Sequence, residues 1–162
     1  MITFRARRVS RTHFIQLLAP PDQVFYLFEP EGEKLWAEGW LPEMIYPTTG
    51  VTEEGAVFTT LHPGEATRTI WTLVHYAPTA QQIIYNYVIP GSRVTRIEIN
   101  CAEAEDQTSR VTITYSHTAL SEQGNRYIEN FTESYYQDYI NGWEKAINYY
   151  LRHGHILTHH QA

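Results

Sequence analysis

The apolar period of this chain changes at Ser121, and that change limits what the chain can fold into. Beyond it, Ile128, Phe131, Tyr135, Tyr139, Trp143, Ile147 and Leu151 recur three or four residues apart, the repeat of one helix face. Asn130, Glu133, Gln137, Asn141, Glu144, Lys145 and Asn148 fall largely on other faces. The spacing predicts an amphipathic helix of about 30 residues, roughly 40 Å long. Ser121-Glu122-Gln123-Gly124 can start it, although Gly124 weakens the start, and Gly154 is its expected stop. Gly142 and Ala146, on or near the stripe, would let it approach other backbone closely. The tail from about residue 154, HILTHHQA, is expected to fray.

Before Ser121 the period is two. In SRVTITYSHTAL, Val111, Ile113, Tyr115, His117 and Ala119 share one face, and Thr112, Thr114, Ser116 and Thr118 the other. In RVTRIEINCAE, Ile97, Ile99 and Cys101 oppose Arg96, Glu98 and Asn100. AVFTTLH, RTIWTLVHY and QQIIYNYVIP read as further strands with short turns between them, the pattern of an antiparallel meander. Residues 11–18 form a first strand that Pro20-Pro21 ends. Two short helices follow. DQVFYLFE is capped by Asp22, and EGEKLWAEG buries Leu35 and Trp36. The fold class is α+β: a curved antiparallel sheet of about six to seven strands around a long C-terminal helix, with two short helices after the first strand. An aromatic helix stripe must be buried, and the sheet is its only partner. A curved sheet wrapped around one helix leaves a concavity, where ligands bind. With 162 residues, the chain fits one domain over 1–162.

Composition removes several function classes. The net charge of −6 argues against a nucleic-acid partner, which needs a basic face. Arg5, Arg7, Arg8 and Arg11 read as a solvated arm or first strand. Cys101 is the only cysteine, so an intrachain disulfide is excluded. It reads as a small buried residue, and a reducing, cytoplasmic location is expected. No apolar run approaches the roughly 18 residues of a membrane span, and MITFRARRVS lacks the apolar segment of a signal peptide. His153, His155, His159 and His160 have chelating spacings, but no Asp, Glu or Cys accompanies them. Neither a metal nor a cofactor is expected.

Three stretches resemble the START/Bet v 1-like helix-grip superfamily, also called SRPBCC or polyketide cyclase-like. APPDQVFYLF is similar to its opening of strand, proline, acidic residue and apolar helix. FEPEGEKLWAEGWLPE resembles the link between its two small helices, and NRYIENFTESYYQDYINGWEKAINYYL its C-terminal helix. The resemblance spans almost the whole chain and implies the helix-grip fold. It implies no single activity: members bind lipids, hormones and aromatic metabolites, some cyclise or dehydrate polyketide chains, and others act as co-chaperone modules.

The twelve tyrosines suit a core that adjoins a moist cavity, each bringing apolar area and one hydroxyl. Tyr115 and His117 would bring polar groups to an apolar face, either as ligand contacts and acid–base groups or as satisfied core residues. His75, beside Trp71 and Leu73, has similar standing. Phe131, Tyr135 and Tyr139 divide between core and cavity wall, and Tyr87 and Tyr85 repeat that theme on a strand. Trp36 and Trp40 suit one helix face, packed on the sheet edge or set at a cavity mouth or partner surface. Glu31, Glu33 and Glu38 read as exposed residues near helix ends. The expected ligand-contacting set is therefore Trp36, Trp71, Tyr87, Tyr115, His117, Phe131, Tyr135 and Tyr139. The leading reading is a binder of a small hydrophobic or aromatic ligand, either a lipid or a polyketide-like metabolite. The alternatives are a polyketide cyclase or dehydratase using Tyr115 and His117, and a co-chaperone-like module presenting Trp36 or Trp40. A homodimer is left open.

Overall fold

A computed structural model describes residues 3–159. Strand β1 (Arg8–Leu17) leads into a helical turn, α1 (Pro21–Val24), and 3₁₀ turns at Phe25–Phe28 and Gly32–Leu35. Strands β2 (Glu43–Tyr46), β3 (Val57–Thr60), β4 (Thr69–Ala77), β5 (Gln82–Ile89), β6 (Arg93–Glu103) and β7 (Ser109–Ala119) follow, then helices α2 (Glu122–Asn130) and α3 (Glu133–His153). The strands make one seven-stranded antiparallel sheet, in the order β1-β7-β6-β5-β4-β3-β2. This is the α+β helix-grip arrangement that the change of period predicts. Strand β2 is the one strand without a sequence signal in the reading above. Among the described residues no helix is long and apolar enough to cross a membrane.

Register carries the alternation across the sheet. Ile97 lies between Tyr85 and Tyr115, and Trp71 between Phe58 and Tyr87. All of these side chains are buried, as are Val111, Ile113, His117, Ile99 and Cys101. Strand β4 breaks the pattern with a register shift between Leu73 and His75. His75 therefore leaves the inner face that Trp71 and Leu73 occupy; it lies 3.5 Å from Glu54 with its side chain 43% exposed.

The expected single helix is two. Thr132 interrupts it in extended conformation, and its hydroxyl accepts the Tyr135 N–H at the start of α3. An N-cap threonine at that point supplies a new helix start in place of the next intrahelical bonds. Helix α3 has 21 residues, about 31 Å. Its Tyr136, Ile140 and Ile147 are fully buried, and the Tyr136 hydroxyl donates to the Ile113 carbonyl. Its polar flank is not simply solvated. Glu144 accepts the Gln16 N–H at 2.8 Å, Asn148 accepts the Leu18 N–H at 2.9 Å, and Asn141 bonds His13 at 2.9 Å. These side chains satisfy the outer edge of β1, which would otherwise offer an unpaired ladder.

Other details differ at the short elements. Pro20, not Asp22, is the N-cap of α1, with Pro21 in its first turn, where a missing N–H costs nothing. Leu35 is 37% exposed, while Trp36 is buried. Gly124 is required, not merely tolerated: a Cβ there would lie 1.9 Å from the Ser92 carbonyl oxygen. Past the Gly154 stop, Ile156, Leu157 and Thr158 are half-buried instead of frayed. The tail's His160 lies outside the described residues.

Candidate functional site

Between the sheet and the helices lies a cavity of about 840 Å³, within the range of roughly 300–1,000 Å³ that small-molecule sites occupy. The sheet contributes Trp71, Tyr85, Tyr87 and Tyr115 to its wall, and the helical side Phe131, Tyr135, Tyr139 and Trp143. Register explains the sheet contribution, since these residues sit on the inner face of paired strands. The helix contribution follows from four-residue steps along one face. Tyr135 and Tyr139 are 51% and 45% exposed, as expected of rings that border an open cavity.

The stretch FYLFEPEGEKLWAEGW closes one end. The Trp36 indole N–H donates to the Leu27 carbonyl at 2.7 Å and that of Trp40 to the Pro30 carbonyl at 2.9 Å. The 3₁₀ turn and Pro30 leave those carbonyls without helical partners, and the two indoles satisfy them. The Tyr85 hydroxyl does the same for Phe28 at 2.6 Å. Trp36 then packs on Phe28 and Trp143, and Trp40 meets Phe58 and Trp71 edge-on. Trp36 is not helical: it caps the 3₁₀ turn that ends at Leu35. Both tryptophans line the cavity, Trp36 buried and Trp40 half-buried.

Glu33 is the main departure from expectation. It lines the cavity and is half-buried. Burial pushes its carboxyl well above the ordinary 4.5, because the low-dielectric wall penalises the charged form. Gly32 fixes this placement: a Cβ there would lie 1.8 Å from the Tyr26 carbonyl oxygen, so only glycine lets the turn pack so closely. Glu31, in contrast, pairs with Lys34 at 2.8 Å on the surface. Glu38 lies 3.4 Å from His159, whose chain segment, Leu157 to His159, also borders the cavity.

His117 is not a cavity residue. It is 0% exposed, covered by Phe131 with ring centroids 4.3 Å apart and by Tyr127 at 5.3 Å. Its Nδ1 and the Thr95 hydroxyl are 2.6 Å apart, and its Nε2 has no partner. Burial, with the Arg93 charge nearby, lowers its pKa from 6.5 to about 3. The ring is therefore neutral at ordinary pH and walled off from a ligand. Tyr115 does reach the cavity; burial, then the neighbouring Tyr139 hydroxyl, holds its pKa well above 10. Of the expected contact residues, Trp36, Trp71, Tyr87, Tyr115, Phe131, Tyr135 and Tyr139 line this one space.

Glu33, Arg93 and Tyr127 were not among the expected contacts, and all three line the cavity. Gly142 lines it as well; its Cβ would meet nothing within 4 Å. It thus borders open space, in place of the close backbone approach expected of it.

No family model matches the chain, and no curated protein matches it by sequence. Solved structures do match in three dimensions. Norcoclaurine synthase from Thalictrum flavum superposes with a TM-score of 0.67 at 11% identity, over 91% of this chain and 88% of that one. A Thermobifida fusca protein gives 0.66 at 15% identity, over 93% and 99%. Ara h 8.0201 gives 0.59 at 12% identity, over 90% and 99%. With the strand order and the long C-terminal helix, these likenesses show that the chain has the Bet v 1-like helix-grip fold.

Proposed function

We propose that this chain binds a small aromatic or hydrophobic ligand, of lipid or polyketide-like character, in the cavity between sheet and α3. The observation that carries the reading is the cavity of about 840 Å³ whose wall carries eleven Trp, Tyr and Phe side chains. Such a wall gives a flat apolar ligand stacking and burial at once, while tyrosine hydroxyls offer orienting contacts. Structural likeness supports it: norcoclaurine synthase has been seen in complex with dopamine and hydroxybenzaldehyde, two small aromatic molecules. The test is a titration with the neutral fluorescent probe N-phenylnaphthylamine. Saturable enhancement, with quenching of tryptophan emission, is the expected result. An absence of saturable binding would remove the basis for a binding function.

Glu33 favours a second reading, an acid–base enzyme acting on a polyketide-like substrate. A carboxyl whose pKa burial raises, with the Tyr115 and Tyr139 hydroxyls in the same wall, is suited to donate a proton. Glu33 takes the place that the sequence reading assigned to His117. Any ligand that co-purifies, identified by native mass spectrometry, supplies the substrate class. On it, Glu33→Gln should abolish turnover and leave N-phenylnaphthylamine affinity unchanged; retained turnover would exclude Glu33 from the chemistry.

A further inference from the structure

Arg93 opens β6, and the strand's alternation puts it on the same face as Thr95, Ile97, Ile99 and Cys101. The last four of these are buried, and Arg93 itself lines the cavity. Its guanidinium carbon lies 3.4 Å from the centroid of the Tyr127 ring and 5.7 Å from that of Tyr87. Stacking on tyrosine fixes the plane of the group and shields one of its faces.

The hydrogen bonds of Arg93 are few for a group with five N–H donors. Nη1 donates to the Ser92 hydroxyl at 3.2 Å and Nη2 to the Tyr87 hydroxyl at 3.4 Å; both acceptors are neutral and both bonds are long. Nε is buried and has no partner. Among the described residues no carboxylate pairs with Arg93, although Arg68 and Arg96 each have one. A partly desolvated cation without an anion is costly unless something supplies the charge. The carboxyl of Glu33 shares the cavity, where burial raises its pKa and disfavours the charged form. His117, packed nearby, is neutral. The other carboxylates of the wall, Glu38 and Glu65, are solvent-exposed, and neither forms an ion pair with Arg93, so Arg93 is a fixed positive charge that its own wall does not neutralise by contact.

We propose that the ligand of this cavity is a small aromatic acid, its carboxylate held by Arg93 beside the Tyr87 hydroxyl and its ring stacked among the wall aromatics. The proposal rests on the binding function above and adds its chemical class. A carboxylate fits better than a phosphate. One planar guanidinium with one adjacent phenol suits a singly charged planar group. A phosphate dianion calls for further cations or a helix N-terminus, and Lys145, the lysine of the cavity rim, is exposed at the mouth.

The test compares isosteric probes, naphthoate and naphthamide, in fluorescence titrations at neutral pH. The wild-type chain should bind naphthoate about tenfold to a hundredfold more tightly than naphthamide, the range of a charge-assisted hydrogen bond. Arg93→Gln should abolish that preference and leave naphthamide affinity within about twofold, since the apolar contacts are unchanged. Arg93→Lys should restore part of it. The wild-type comparison needs no variant, so it remains decisive if Arg93→Gln does not fold. Equal affinity for the two probes overturns the anion assignment and leaves the aromatic cavity in place. Tighter binding of naphthyl phosphate than of naphthoate overturns the carboxylate assignment. If neither naphthamide nor naphthoate binds, the binding function itself fails, and the proposal fails with it.

Discussion

His117 makes the stability of this fold depend on acid in a way that can be separated from every carboxylate. Its imidazole titrates near its ordinary 6.5 in the unfolded chain and at about 3 in the folded one, lowered by burial and then by the Arg93 charge. The folded pKa is the lower, so the unfolded state binds the extra proton first as pH falls. Stability from this group is complete above about pH 6.5 and is lost as pH drops toward about 3. Integrating the difference gives a loss of roughly 2 to 3 kcal/mol at about pH 4.5 and about 4 kcal/mol near pH 3. Urea unfolding followed by circular dichroism, at neutral pH and at about pH 4.5, measures it. The comparison is with a Thr95→Val, His117→Leu double variant. That pair removes both ends of the 2.6 Å hydrogen bond, so no buried group loses its partner and the neutral-pH cost stays near 1 kcal/mol. The wild type should lose about 2 to 3 kcal/mol more than the double variant over that interval. Carboxylates titrate equally in both proteins and cancel. If the two lose stability in parallel, His117 is not held neutral and the account of its environment is wrong.

Glu33 has the opposite sign. Its folded pKa is raised above 4.5 by burial, so the folded state is penalised as pH rises through that raised value. Glu33→Gln should therefore raise the melting temperature at neutral and alkaline pH and leave it unchanged below about pH 4, where both states are protonated. Gly142→Ala should stabilise α3 by up to about 1 kcal/mol through helix propensity, since its Cβ meets nothing within 4 Å. Gly142→Leu should in addition weaken N-phenylnaphthylamine binding by occupying cavity space, read in one titration. Gly124→Ala should cost about 2 kcal/mol or more in urea unfolding, because its Cβ would collide with the Ser92 carbonyl. Cys101 is buried and its thiol pKa is pushed up to about 12, so Ellman's reagent should label it only after denaturation.

What could be read from the sequence divides according to whether a residue's position follows from a period. The β7 face and the face carrying Tyr85 and Tyr87 could be read, because in a strand parity alone decides which side a residue takes. Arg93 obeys the same rule. Counting back by two from Ile97 through Thr95 puts it on the inner face. A charged residue on an apolar face is therefore legible from parity alone. His75 shows where parity fails, since one shifted pairing after Leu73 moves it off that face. His117 shows a different limit. Parity placed it on the inner face correctly, but parity does not say whether an inner residue meets a ligand or lies beneath another layer. The Thr132 break settles that here: it lets the chain turn at Phe131, whose ring then covers the imidazole. Had α2 and α3 been one straight helix, the predicted stripe would have run on without that turn.

Glu33 has no period to reveal it. Three glutamates lie within eight residues of one another in a segment of 3₁₀ turns, where neither a two-residue nor a 3.6-residue count assigns a face. Which of them turns inward is decided by tertiary contacts: the backbone of Gly32 against Tyr26, and the indoles of Trp36 and Trp40 bonded to Leu27 and Pro30. The glycine and the tryptophans are thus what place the acid, so replacing Gly32 should disturb Glu33 more than replacing Glu31 does. Gly32→Ala should lower the pKa of Glu33 toward its ordinary value by opening the turn to water. Infrared difference spectra taken across a pH titration would register this as the protonated-carboxyl carbonyl band being lost at lower pH than in the wild type. An unchanged titration of that band in a folded Gly32→Ala protein would show that Glu33 is placed by something other than this turn.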